Sequence, residues 1–241
     1  MAMSMKSHRV SPCANASAAT SAGTAKITPL VPEGKSSAVY GVLHGKTAVL
    51  ALAEVLPCEG EGTASLNAGE LIRRALDEGL REIVLGTAES AIRDCGMGCM
   101  RALGVKFYDA EGTELKGSAE ELRRVAAVDT EYLHPGLREA RITILNGGIS
   151  ETPAEYAEDA VRFRALVASA VGVSASDCAG VGGLLCALGG ARRASGVDAL
   201  LDAVDFDKLL QGVALVVTGE MLLEEASFSG GRAVPCVLAR C

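Results

Sequence analysis

Tryptophan is absent from the 241 residues, and aromatic residues make up only 3% of them. With so few rings available, the interior has to be packed from Ala, Val and Leu rather than from large aromatic anchors. Positive charge is also scarce. Lys and Arg number 23 against 30 Asp and Glu, a formal net charge of -7. A nucleic-acid interface needs a basic face, so that class of partner is set aside. An anionic metabolite stays open, because a local pocket can be positive on an acidic protein. No apolar run is long enough to cross a bilayer, and no charged-then-apolar secretory leader is present, so no membrane partner and a cytoplasmic location are expected. The eight cysteines show no paired Cys-x-x-Cys knuckles, and they read as reduced, mostly buried thiols. Cys95 and Cys99 stand four apart with no His or further Cys close by, which favours packing over a metal pair.

Hydrophobic residues supply 49% of the chain and glycine 28 positions, enough for a sizeable core with many tight turns. Residues 1–25 are rich in Ala, Ser and Thr and hold no acid. That composition fits a flexible tail, an organellar transit peptide or a degraded helix. Residues 27–31 form a candidate strand, and Pro29 inside it favours a sheet edge. Residues 37–43 and 47–52 are two strands joined by His44-Gly45-Lys46, a hairpin signal. His44 reads as a solvated turn residue. Asn67 is expected to cap a helix, with Glu70 three residues on and Leu71, Ile72, Ala75 and Leu76 on its buried face. Gly79 ends that helix and a short strand over 83–85 follows.

The stretch 81–112 organises the rest. A strand runs into a loop of small residues, Gly96 and Gly98 lead into a helix, Gly104 stops it, and 105–108 read as a further strand. Strand, glycine loop and helix start form a natural anion site, because free backbone N–H groups there point outward. Further strands are expected over 140–145 and over 213–217, the latter a continuous apolar run suited to the middle of a parallel sheet. Helices are expected from Ser118 to Val125, from Thr152-Pro153 to Val171, over 180–190, over 198–204 and over 205–211. Glu151, Glu155 and Glu158 read as a solvated helix face. The order of elements is α/β.

The same segments resemble the glycerate kinase family of the bacterial two-domain type. Gly45-Lys46-Thr47-Ala48-Val49, Gly69-Glu70-Leu71-Ile72, and Val216-Val217-Thr218-Gly219-Glu220 stand in that family's order. Between them, Ser90, Ala91, Asp94, Gly96 and Gly98 match its glycine-rich loop, while Ala88-Glu89, Ile92-Arg93 and Cys95 depart from it. The resemblance implies a glycerate-kinase-like inserted α/β domain over 27–212, a truncated remnant of a Rossmann-like domain over 213–241, and a flexible or degraded segment over 1–26. It implies ATP-dependent phosphorylation of glycerate to phosphoglycerate with ATP and Mg²⁺, and a catalytically inactive binding or interaction module is the alternative. Under that reading Asp94 and Glu220 supply the acids. Arg93 and Arg232 supply positive charge. Ser90 with the N–H groups near Gly96 and Gly98 holds a carboxylate or phosphate. The apolar run at 213–217 is expected to be either mobile or buried in a homodimer.

Overall fold

The computed structural model describes residues 24–29, 37–52, 65–87, 92–146, 157–175, 180–219, 225–228 and 232–241. Six strands form the main sheet: β1 (Thr24–Pro29), β2 (Ser37–Leu43), β3 (Thr47–Ala51), β4 (Glu82–Thr87), β7 (Arg141–Asn146) and β8 (Arg192–Ser195), side by side in that order. β1, β2 and β3 are antiparallel, and β3, β4, β7 and β8 are parallel. A separate two-stranded antiparallel sheet pairs β5 (Lys106–Tyr108) with β6 (Ala127–Asp129).

The β2–β3 hairpin turns on His44 and Gly45, whose φ angles of 51° and 72° lie in the left-handed region, as a type I′ turn needs at both central positions. His44 is exposed there. β1, with Pro29 at its end, takes the sheet edge that the proline calls for.

Alternation along the strands sets the core. Tyr40 and Val42, Ala48 and Leu50, Ile83 and Leu85, and Ile142 and Ile144 are buried. The register aligns them across the sheet, with Leu50 beside Tyr40 and Leu85, and Leu85 beside Ile144. The helices α1 (Leu66–Asp77), α2 (Met97–Ala102), α3 (Pro135–Glu139), α4 (Ala157–Val171) and α5 (Gly180–Gly189) contribute to the same core through Leu71 and Ile72, Met97 and Met100, Leu137, Phe163, and Leu184 and Leu185. The buried side chains of the strands and of these helices form one core cluster. The other face, carrying Val49, Val84, Thr143 and Leu145, is half-buried. After β8 come α6 (Gly196–Ala203), α7 (Phe206–Leu209) and α8 (Ala233–Arg240). Arg240 ties α8 to its predecessors through Asp202 at 2.6 Å and Asp207 at 3.2 Å.

Several expectations need correction. Residues 213–217 form no strand: Val213, Leu215 and Val217 are 49%, 77% and 85% exposed. High β propensity does not make a strand without a partner to bond. β8 went unseen because Arg192 and Arg193, both exposed, interrupt any apolar pattern on this edge strand. The N-cap of α1 is Ser65, not Asn67. Residues Ala119–Arg124 form a 3-10 helix with a reciprocal Ser118–Glu121 capping box, and Leu122 and Val125 are buried as expected. The start of the helix expected at Thr152-Pro153, with Glu151 and Glu155, lies outside the described residues, whereas Glu158 is exposed.

Candidate functional site

The carboxyl ends of the parallel strands lie together. Ala51 is paired with Gly86, and Thr87, Asn146 and Ser195 lie in one row. Ligands of open α/β sheets bind beyond such ends. The chain leaving β3, β4 and β7 there, residues 53–64, 88–91 and 147–156, lies outside the described residues. The described chain resumes at residue 92, in the turn that leads into α2.

Asp94 is the centre of that turn. It is fully buried, and every bond to its carboxylate comes from a donor. Oδ1 accepts the Gly96 N–H at 3.0 Å. Oδ2 accepts the Ser65 N–H at 3.0 Å, the Ser65 hydroxyl at 2.8 Å and the Gly98 N–H at 3.4 Å. Burial pushes the Asp94 carboxyl above the usual carboxylate range, while the bonds from Ser65, Gly96 and Gly98 pull the other way. The Ser65 hydroxyl accepts the Cys99 N–H at 2.8 Å. Two helix N-termini, those of α1 and α2, thus converge on one internal carboxylate.

The glycines serve this knot by their lack of a side chain. A Cβ on Gly98 would sit 2.9 Å from both Asp94 Oδ2 and the Leu66 nitrogen, and one on Gly96 would meet the Val181 backbone of α5 at 3.0 Å. Gly96 also holds φ at 87°. The small residues therefore allow backbone to approach backbone. Cys95 and Cys99 are buried and in no disulfide. Burial, with the Asp94 charge adding to it, raises the Cys99 thiol far above its ordinary value, which fits packing rather than reactivity.

Of the residues singled out from sequence, the structure brings Arg93, Asp94, Gly96 and Gly98 into one turn. Arg93 is exposed beside the buried Asp94. It lies near Glu120, whose carboxyl is lowered by its own backbone N–H, then by Ser118, and to a smaller extent by Arg93. The N–H groups of Gly96 and Gly98 do hold a carboxylate, but it is Asp94's own. Arg232 stands on a different element, exposed at the N-cap of α8. Ser90 and Glu220 lie outside the described residues. Ser65 escaped the sequence reading. Its only local signal was a serine directly before a helical run, and its partners lie 29 and 34 positions away. Among the described residues no group of three or more His, Cys, Asp or Glu could hold a metal ion. Asp94 itself is committed to Ser65, Gly96 and Gly98.

A model of the glycerate kinase family matches residues 14–150 and 146–241. The chain belongs to the glycerate kinase family. It is 32% identical over 186 residues to a glycerate kinase of Neisseria meningitidis serogroup B, covering 67% of this chain and 50% of that protein. It is 28% identical over 231 residues to the glycerate 2-kinase of Escherichia coli, covering 81% and 61%. A solved structure from Salmonella typhimurium LT2, assigned as glycerate kinase 2, superposes with a TM-score of 0.71 at 25% identity, covering 92% of this chain and 69% of that one. The chain therefore spans about half to three fifths of the curated relatives' length. The mixed α/β architecture is that of the family member's structure.

Proposed function

We propose that the protein phosphorylates glycerate with ATP, giving phosphoglycerate, with 2-phosphoglycerate the favoured product. The observation that carries this is the family match along nearly the whole chain, together with the shared carboxyl edge of β3, β4 and β7. ATP enters as its Mg²⁺ complex. A glycerate hydroxyl oxygen bonds to the γ-phosphorus, the β–γ bridging P–O bond breaks, ADP leaves, and the hydroxyl proton passes to a carboxylate. Such transfer is mostly positioning and charge neutralisation.

In this reading Glu220 takes the proton, and Ser90 and Arg93 face the substrate anion, with Arg232 adding charge. Asp94 acts from below, through the backbone it fixes. The same reading divides the chain at 27–212 and 213–241 and places it in the cytoplasm; among the described residues no helix is long and apolar enough to cross a membrane. The exposed Leu215 and Val217 support a homodimer that covers them.

The test is purified chain with Mg·ATP and glycerate, followed by ADP release. We expect glycerate-dependent turnover, reduced roughly 100-fold or more by Glu220→Gln. An absence of ADP above background at high protein concentration contradicts the proposal and favours the inactive binding module.

A further inference from the structure

Ser65 uses both sides of its hydroxyl at once, donating to Asp94 Oδ2 at 2.8 Å and accepting the Cys99 N–H at 2.8 Å. A hydroxyl at a helix N-cap ordinarily accepts an N–H from its own first turn, yet Ser65 makes no such bond in α1. Its side chain is given over to a different element. Ser65 is fully buried, so water does not substitute for either partner.

The surroundings leave the turn one position. Gly98 stands so close to Leu66 and to Asp94 Oδ2 that no Cβ fits, and a Cβ on Gly117 would approach the Gly98 Cα at 3.2 Å. α1 and α2 also meet backbone to backbone, since a Cβ on Gly69 would fall 2.4 Å from the Cys99 carbonyl oxygen. Arg93, exposed and one residue before Asp94, therefore projects from a backbone anchored on its C-terminal side.

We propose that Ser65 is a positioning residue: by bonding Asp94 and the Cys99 amide together, it locks the turn of residues 92–98 to the first turn of α1 and so fixes the place from which Arg93 meets the substrate. The catalytic consequence rests on the kinase reading above. The lock itself is a property of the fold and is measured separately.

The test is amide hydrogen exchange on the full chain, read at Gly96, Gly98 and Cys99 against Ala75 and Leu76 within α1. Ser65→Ala is expected to speed exchange at the first three by roughly tenfold or more while leaving the other two near their wild-type rates. Ser65→Cys, with a weaker donor and acceptor of similar shape, gives an intermediate effect, and it carries the test alone should Ser65→Ala fail to fold. Alongside, kcat for glycerate is expected to fall roughly tenfold to 100-fold with KM for ATP little changed. Exchange that is unchanged, or that rises equally throughout α1, overturns the lock. Exchange that rises locally while an active wild type and Ser65→Ala turn over alike overturns the positioning role. If the wild type itself transfers no phosphate, the kinase reading fails and the lock is judged on exchange alone.

Discussion

Asp94 takes at the residue scale the place that an anionic ligand would take at a helix N-terminus. The donors around it are all N–H or O–H groups, so an amide in its place would turn its NH₂ toward some of them. Asp94→Asn is expected to lose on the order of 2–4 kcal/mol of stability. The pH dependence has a definite sign. Burial is the largest cause acting on Asp94 and raises its folded-state pKa, so between the ordinary carboxylate range and that raised value the folded state binds more protons than the unfolded one. Stability from this group is fully present below that window and is lost as pH rises through it. The deficit of Asp94→Asn relative to wild type should therefore be largest at low pH and shrink as pH rises. Denaturant unfolding across a pH series checks this, and a deficit independent of pH contradicts it. Asp94, Gly96 and Gly98 could be picked out from sequence because they are neighbours in the chain. Ser65 could not, since only the fold brings it to them.

Between elements, α1 and α2 approach closely at Gly69. With Gly69 facing the Cys99 carbonyl at a distance no Cβ tolerates, Gly69→Ala has to push the helices apart, at a cost of roughly 1–3 kcal/mol. Thermal unfolding measures it, and an unchanged midpoint would show that the contact is slack. The elements legible in the sequence were those with strong local chemistry: the His44-Gly45 turn, the buried face of α1 ending at Gly79 with φ of 83°, and the Ile83–Leu85 apolar run within β4. Those misread depended on pairing. β8 is a strand because β7 lies beside it, through pairs such as Thr143 with Arg192, in spite of its arginines. Residues 213–217 have the composition of a strand and lack a paired neighbour among the described residues.

Over the whole molecule, one face of the sheet is buried in the shared core while the other stays half-buried. Leu50 lies fully buried on the covered face, and Leu50→Ala should cost about 2–5 kcal/mol by emptying the middle of that layer. Beyond α7, apolar side chains are exposed, Leu215 and Val217 above all. If a second copy covers them, Leu215→Lys with Val217→Lys should convert dimer to monomer in sedimentation experiments, and an unaltered oligomeric state would rule that partner out. Ligands are expected beyond the carboxyl ends of β3, β4 and β7, away from the Gly96 and Gly98 amides that Asp94 already occupies. Titration of isotopically labelled chain with glycerate and Mg·ATP, followed by amide NMR shifts, tests it directly. The largest changes are expected at Arg93 and at the ends of β3 and β7, with the Gly96 and Gly98 amides still bonded to Asp94. Changes centred on the Gly96 and Gly98 amides with release of Asp94, or confined to the far end of the sheet, would contradict it.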